Sequence, residues 1–256
     1  MGDVPESLSI LLRRLPATFI LWDIDHTLIE NSGVSKEVYA LAFELLTKHV
    51  PLVRPSTDGR TDFQIMQELF KANTIDASEY SSISQFEGVL TEAMTRKVPE
   101  LLKRGYPLKG AAESLEALTP VPTIIQSVLT GNIVDNAKAK LHAFGLDEWV
   151  DFDVGGYGSD HTIRSQLVDI ARQKAKQKYD VAFDKLSTIL IGDTPLDVKA
   201  ARDGGAKIIG VATGSSSMNV LHEAGADAVI ESLEHLDQLI MELIELRLDG
   251  TEISSR

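Results

Sequence analysis

The chain has 256 residues, of which 43% are hydrophobic and 25% are charged, and its formal net charge is −13. This composition is typical of a soluble globular protein, and the acidic balance disfavours nucleic acid and anionic membranes, which attract basic surfaces. The absence of cysteine excludes disulfides, thiolate metal sites and cysteine nucleophiles. No apolar run reaches the roughly 18 residues of a membrane-spanning helix, and no secretory signal is visible. We therefore expect a cytoplasmic protein with no nucleic acid or membrane partner.

The first part of the chain contains one strand followed by helices. Residues Thr18–Trp22 form a short apolar run that is typical of a buried parallel strand. Apolar residues at helical spacing then predict helices up to about residue 105. Ser35 is the expected N-cap of the first of these helices, and Thr61 with Gln64 has the spacing of a capping box for the next. The sequence therefore predicts a helical insertion, residues 33–105, after the first strand.

The second part of the chain alternates strands and helices. A basic helix is predicted over about 164–178, and most of its charges are expected to face solvent. The predicted strands are Thr123–Leu129, Asp151–Val154, Thr188–Ile191, Lys207–Val211 and Ala228–Ile230. Strands that alternate with helices indicate βαβ units and a parallel sheet, so the predicted fold class is α/β.

Polar side chains follow three of the predicted strands. Asp23 and Asp25 follow the first, Thr130 follows another, and Asp193 and Asp197 follow a third. The carboxyl ends of parallel strands share one edge of the sheet, so these groups are expected to converge. Clustered carboxylates repel one another, and a hard cation such as Mg²⁺ offsets that repulsion. The alternative is that each aspartate only caps a helix N-terminus.

These residues together resemble the four motifs of the haloacid dehalogenase (HAD) superfamily. The motifs are Asp23-Ile-Asp-His-Thr27, Thr130, a basic residue at the start of a later helix, and Gly192-Asp-Thr-Pro-Leu-Asp197. The similarity is to the phosphoglycolate phosphatase-like branch with a helical C1-type cap, and it covers about residues 15–235. It implies a Rossmann-like three-layer α/β/α core with an inserted all-helical cap. The implied boundaries are 1–32 and 106–248 for the core, 33–105 for the cap, and 249–256 for a loose C-terminal tail.

The resemblance implies a Mg²⁺-dependent HAD-type phosphoric monoester hydrolase. Asp23 would be the nucleophile that forms an aspartyl-phosphate, and Asp25 would be the general acid and then the general base. That role needs an Asp25 pKa raised toward neutrality. The Mg²⁺ ion would be held by Asp23, the Asp25 backbone carbonyl and Asp193, with support from Asp197. The substrate would be a small phosphomonoester: a phosphoglycolate-like molecule, a sugar phosphate or a nucleotide.

The resemblance also assigns residues to the phosphoryl group. Arg164 fits best as the basic residue of the third motif, which would pair with Asp23 and the phosphoryl oxygens. The family usually has a lysine before a proline there, whereas this chain reads Ile-Arg-Ser, so Arg172 and Lys174 are rivals. The alternative is that Arg164 is a solvated surface charge. The remaining phosphoryl-binding groups would be the Thr130 hydroxyl and the backbone N–H groups of Gly131 and Asn132.

One residue departs from the family pattern, and two residues of the predicted cap concern substrate specificity. His26 stands where the family usually has glycine, which is tolerable if its backbone φ is not positive. Arg60 and Thr61 open a cap helix and are candidate substrate-binding residues, and Arg60 suits a second anionic group such as a carboxylate. The alternative is that Thr61 is only an N-cap and Arg60 is solvated.

Several other functions fit the same motifs. A phosphomutase of the β-phosphoglucomutase type would share the core and differ in the group that accepts the phosphoryl. A dehalogenase would not need Asp25, Asp193 and Asp197. From another class, a non-catalytic phosphate-binding protein or a phospho-acceptor regulatory protein also remains open. The expected partner is a small phosphorylated substrate, and the expected assembly is a monomer or a homodimer.

Overall fold

A parallel β-sheet forms the centre of the computed structural model, which describes residues 5–53, 57, 59–76, 80 and 83–253. The strands are β1 (Thr18–Trp22), β2 (Ile29–Glu30), β3 (Tyr106–Pro107), β4 (Ile124–Val128), β5 (Thr188–Gly192), β6 (Lys207–Val211) and β7 (Ala228–Ile230). Five of them form the central sheet in the order β4-β1-β5-β6-β7, and each neighbouring pair is parallel. The predicted α/β class is therefore confirmed.

Helices cover both faces of this sheet. They are α1 (Glu6–Leu12), α2 (Val34–Thr47), α3 (Asp62–Ala72), α4 (Ile83–Arg104), α5 (Ala111–Leu118), α6 (Val134–Ala143), α7 (Arg164–Tyr179), α8 (Pro195–Asp203), α9 (Met218–Ala224) and α10 (Leu236–Ile253). Alternate residues of a strand point to opposite faces of its sheet. In β1, Ile20 and Trp22 pack with α1, α5, α6 and α10, whereas Phe19 and Leu21 pack with α7, α8 and α9. This arrangement gives the predicted three layers.

Helices α2, α3 and α4 have a hydrophobic cluster of their own. Its aromatic rings are in contact, with centroids 5.3 Å apart for Phe43 and Phe70 and 5.6 Å apart for Phe63 and Phe86. The segment leaves and returns at one place, because β2 and β3 pair antiparallel with each other. The contacts support a separate helical cap, and its boundaries at 33 and 105 stay a prediction.

Three local predictions are wrong or incomplete. The predicted strand Asp151–Val154 is a 3₁₀ turn over Phe152–Val154, because the Asp151 side chain accepts a hydrogen bond from the Asp153 N–H at 3.0 Å. The N-cap of α2 is Gly33, with φ 80°, rather than Ser35, whose hydroxyl donates to Asp25. The backbone of α10 continues past residue 248, beyond the predicted end of the core.

The capping box of α3 is present as predicted, and its contribution to stability is measurable. The Gln64 N–H donates to the Thr61 hydroxyl at 3.4 Å, and the Thr61 N–H donates to the Gln64 side chain at 3.2 Å. Thr61→Ala removes the first bond and should lower the free energy of unfolding by about 1 kcal/mol in urea denaturation. Thr95→Ala, on an exposed face of α4, is the control and should change it much less. Equal losses in the two variants would contradict the capping role.

Candidate active site

The three strands β4, β1 and β5 bring their polar residues to one cavity. Asp23 follows β1, Thr130 follows the β4 run, and Asp193 follows β5. The register holds them side by side, since the Asp23 N–H donates to the Ile191 carbonyl at 2.8 Å. All three line a cavity of about 260 Å³. The predicted convergence at the carboxyl edge of the sheet is thus what the structure shows.

Three buried carboxylates form a compact cluster within this site. One oxygen each of Asp23, Asp193 and Asp197 lies within 4.8 Å of the others. Asp197 is fixed by the start of α8, where the Thr194 N–H donates to its Oδ2 at 3.0 Å. The Thr27 hydroxyl donates to Asp193 at 3.2 Å. A donor set of carboxylate oxygens without histidine or cysteine fits a hard divalent cation.

The protonation of these carboxylates reflects burial and mutual repulsion. Burial raises the pKa of Asp23, the Arg164 guanidinium lowers it, and repulsion from Asp197 and Asp25 makes the net shift upward. Burial is also the main cause that raises the pKa of Asp193, followed by repulsion from Asp197. The cluster therefore resists full ionisation unless positive charge enters it.

Arg164 supplies one positive charge at this cluster. It is the first residue of α7, its side chain is 10% exposed, and its Nη2 donates to Asp23 Oδ1 at 2.7 Å. The same nitrogen forms an ion pair with Asp197. The rivals point elsewhere: Arg172 donates to backbone carbonyls beyond α8, and Lys174 pairs with an aspartate outside the cavity. Of the three candidates, only Arg164 lies beside Asp23.

The Asp25 carboxylate is held in a way the sequence did not predict. It accepts hydrogen bonds from Lys140 Nζ at 2.9 and 2.6 Å, from Asn132 Nδ2 at 2.9 Å and from Asn31 Nδ2 at 2.8 Å. Burial raises the pKa of Asp25, but the Lys140 ammonium and the Asn132 bond outweigh burial and lower the pKa to about 2. The predicted raised pKa is therefore wrong for this arrangement.

Lys140 is a site residue that the sequence motifs do not include. It lies on α6, is 3% exposed, and also donates to Asn132 Oδ1 at 2.7 Å. Lysine is almost never fully buried unless it is paired. The available signal was helical spacing, because Lys140 repeats with Ala137 and Leu141 on the buried face of α6. The spacing places Lys140 inside, but it does not name the carboxylate that it meets.

The loop Thr130–Asn132 has donors that face the cavity. The Thr130 hydroxyl oxygen accepts from the Asn132 side chain at 2.8 Å. Within the part of the chain that the structure describes, the Thr130 hydroxyl proton has no acceptor. The Asn132 N–H donates weakly to Thr130, at 3.3 Å. The loop therefore offers donors to an anion placed in the cavity, as the second motif requires.

The two predicted cap residues have different positions. Arg60 lines the cavity, although its guanidinium pairs with Glu68. Thr61 is fully buried, caps α3 and donates to the Thr162 carbonyl at 3.4 Å. Thr61 is not one of the described residues that line the cavity. Its predicted substrate contact is therefore replaced by a capping role.

Asp62, which the motifs also omit, connects the cap to the loop Thr130–Asn132. Its N–H donates to the Gly131 carbonyl at 2.8 Å, and its carboxylate accepts from the Ile133 N–H at 2.9 Å and from the Tyr39 hydroxyl at 2.6 Å. Burial raises the pKa of Asp62 to about 6 against these hydrogen bonds. Asp62 and Tyr39 both line the cavity.

His26 has a positive backbone φ, although a side chain at this position was expected to be tolerable only if φ is not positive. Its φ is 64°, in the left-handed region. His26 lines the cavity, and its Nδ1 lies 2.9 Å from Glu30 Oε2. A side chain thus occupies a backbone position that suits glycine.

Comparison with known proteins agrees with the fold. The sequence profile of the haloacid dehalogenase-like hydrolases matches residues 20–202. A predicted phosphatase from Clostridium acetobutylicum has 17% identity and a TM-score of 0.61, with 89% of this chain and 100% of that chain covered. A hydrolase from Pseudomonas syringae has 23% identity and a TM-score of 0.63, with 89% and 99% covered. CbbY from Rhodobacter sphaeroides, solved with phosphate, has 20% identity and a TM-score of 0.63, with 86% and 96% covered. No curated protein matches the chain in a sequence comparison.

The fold and site define an α/β protein with an aspartate-rich centre and helices inserted after the first strand. The profile match extends over more than half of the chain, so the chain belongs to the haloacid dehalogenase-like hydrolases. It is an enzyme of that family, and the solved structures share its fold. Among the described residues, no helix is long and apolar enough to cross a membrane.

The close approach of the cap to the loop gives a test of this geometry. A Cβ on Gly131 would lie 1.9 Å from the Arg60 carbonyl oxygen. Gly131→Ala should therefore lower the free energy of unfolding by about 1–3 kcal/mol, because the cap and the loop must move apart. Gly88→Ala in α4, where a Cβ meets nothing within 4 Å, should instead raise it by up to about 1 kcal/mol. Chemical denaturation measures both, and changes of the same sign would contradict the packing described.

Proposed function

We propose that this enzyme is a Mg²⁺-dependent phosphatase that hydrolyses a small phosphomonoester through an aspartyl-phosphate. The observation that carries the proposal is the position of Asp23. It belongs to the carboxylate cluster, pairs with Arg164 at 2.7 Å and shares a small cavity with the Thr130 loop. The similarity to a predicted phosphatase and to a phosphate-bound protein supports this reading at the level of fold.

The carboxylate cluster fits a metal ion. Asp23 and Asp193 would hold Mg²⁺ with the Asp25 backbone carbonyl, and Asp197 would support them. The bound ion would supply positive charge that offsets the negative charge of the phosphoryl oxygens. Arg164 and the Thr130 hydroxyl would bind the same oxygens from the protein side. These donors orient phosphorus toward Asp23.

The chemistry then proceeds in two displacements. An Asp23 carboxylate oxygen bonds to phosphorus as the ester P–O bond breaks, and the leaving oxygen takes a proton from Asp25. Water next bonds to phosphorus and gives a proton to Asp25 as the Asp23–phosphorus bond breaks. The products are the alcohol and inorganic phosphate, and both aspartates return to their starting states.

The Lys140 contact opposes both proton transfers. A carboxylate with a pKa of about 2 carries no proton to donate near neutral pH and is a weak base. The first displacement needs a proton on Asp25, and this requires a weaker Lys140 contact when substrate is bound. Substrate entry would therefore have to change the hydrogen bonds around Asp25.

The cavity limits the substrate. Its volume of about 260 Å³ lies at the small end of ligand pockets, which favours a small leaving group over a nucleotide. Lys36 and Arg60 line it from the cap and favour an anionic ligand. A phosphomutase would transfer the phosphoryl group to a sugar hydroxyl instead of water, and turnover of sugar phosphates as opposed to inhibition by them separates the two activities. Cytoplasmic location and a monomeric or homodimeric state remain predictions.

The nucleophile assignment has a direct test. Purified protein with Mg²⁺ should release phosphate from p-nitrophenyl phosphate and from small alkyl phosphates. Asp23→Asn should lower kcat by more than about 10³-fold, because the amide cannot form the covalent intermediate. Asp203→Asn, at the exposed end of α8, is the folded control and should retain activity. If a broad panel of phosphate esters shows no turnover with metal present, the phosphatase proposal is wrong.

Metal binding should depend on pH in a defined direction. The raised pKa values of Asp23 and Asp193 mean that the folded, metal-free protein binds more protons than the unfolded chain above the ordinary aspartate range. Its stability therefore falls as pH rises through that window. Mg²⁺ binds the ionised carboxylates and offsets the loss, so it should raise the unfolding temperature more near pH 8 than near pH 5.

Differential scanning calorimetry with and without Mg²⁺ measures this dependence. Asp193→Asn removes one ligand and one repelling charge, so it should reduce both the metal response and its variation with pH. An increase in unfolding temperature that is the same at both pH values would contradict the ligand assignment.

A further inference from the structure

His26 is held firmly in an unfavourable backbone conformation. Its φ of 64° costs folding free energy that glycine would not. The conformation is fixed on both sides, because its N–H donates to the Ile29 carbonyl and its own carbonyl accepts from the Thr213 hydroxyl, both at 2.7 Å. Strained residues that persist at active sites often have a functional side chain.

The orientation of the ring is fixed as well. Glu30 Oε2 lies 2.9 Å from Nδ1, and the other Glu30 oxygen accepts from the Ser32 N–H. A carboxylate at Nδ1 selects the tautomer with hydrogen on Nδ1, so Nε2 of the neutral ring is a hydrogen-bond acceptor. Nε2 has no hydrogen-bond partner within the described ranges of the chain. Among the described residues, His26 lines the cavity and Glu30 does not.

His26 shares its cavity with the groups that bind phosphate in the proposed mechanism. The described side chains that share it include Asp23, Thr130 and Arg164, which bind the phosphoryl group in the proposed mechanism. In the proposed mechanism those side chains bind one another or the phosphoryl group, and none of the steps uses His26. His26 is therefore a lining residue that is left for contact with the rest of the substrate.

We propose that His26 is a specificity-determining residue whose Nε2 accepts a hydrogen bond from a hydroxyl group on the leaving-group part of the substrate. The substrate class is then a hydroxylated alkyl phosphate, such as a polyol or sugar phosphate. This inference rests on the proposed phosphatase function. The two proposals make separate predictions. The phosphatase proposal concerns whether Asp23 hydrolyses esters, and this inference concerns which ester the enzyme prefers.

A matched pair of substrates tests the inference. Glycerol 3-phosphate and propyl phosphate have the same ester and chain length and differ in their hydroxyl groups. The wild type should favour glycerol 3-phosphate in kcat/KM. His26→Gly should reduce that preference by roughly three- to tenfold, the value of one hydrogen bond, and leave turnover of propyl phosphate nearly unchanged. Added imidazole should restore part of the preference.

Two further measurements separate this role from a structural one. His26→Gly relieves the backbone strain, so its unfolding temperature should not fall below that of the wild type. Glu30→Gln keeps an acceptor for Nδ1 and should retain most of the preference, whereas Glu30→Ala frees the ring and should lose part of it. Both comparisons use kcat/KM for the same two esters.

The inference would be overturned by any of three results. These are a wild type with no preference between the esters, an equal loss on both esters in His26→Gly, or a lower unfolding temperature in that variant. In each case, turnover of p-nitrophenyl phosphate by the wild type would leave the phosphatase proposal standing. A wild type that hydrolyses no ester would instead show that the phosphatase proposal itself fails, and this inference with it.

Discussion

The site depends on the balance between buried carboxylates and buried cations. An ionised carboxylate removed from water costs several kcal/mol unless a partner compensates it. Lys140 compensates Asp25, and Arg164 compensates Asp23 and Asp197. Asp193 forms no ion pair with a basic side chain in the described part of the chain. Burial and repulsion from Asp197 raise the Asp193 pKa, and no paired cation offsets them, so a divalent cation fits the cluster at this point.

The features of the site that come from strand ends were predictable. An apolar run that stops at a polar residue marks both the end of a strand and its exposed edge, so Asp23, Thr130 and Asp193 followed from local pattern alone. Parallel pairing of β1 with β4 and β5 then brings them together. The strand Thr18–Trp22 was predicted with its observed boundaries, because every residue in it is buried and the pattern has no competing reading.

The features that the sequence did not reveal depend on contacts between distant segments or on backbone angles. Lys140 meets Asp25 across 115 positions of the chain, and helical spacing shows only that Lys140 faces inward. The pKa of Asp25 was predicted in the wrong direction for the same reason, since repulsion from nearby aspartates is visible in the motif and the ammonium is not. The positive φ of His26 is held by hydrogen bonds of its own N–H and carbonyl to Ile29 and Thr213, which residue type alone does not encode.

The cap and the loop Thr130–Asn132 form one hydrogen-bonded unit. Asp62 donates from its backbone to Gly131 and accepts from Ile133 with its side chain, so the loop and the start of α3 are joined at two points. Movement of the cap away from the core must break both bonds and expose a carboxylate whose pKa burial raises to about 6. A solvated Asp62 ionises more readily than a buried one, so near neutral pH its ionisation favours the separated state. Cap position, loop geometry and the charge of Asp62 are therefore linked, although none of the family motifs includes Asp62.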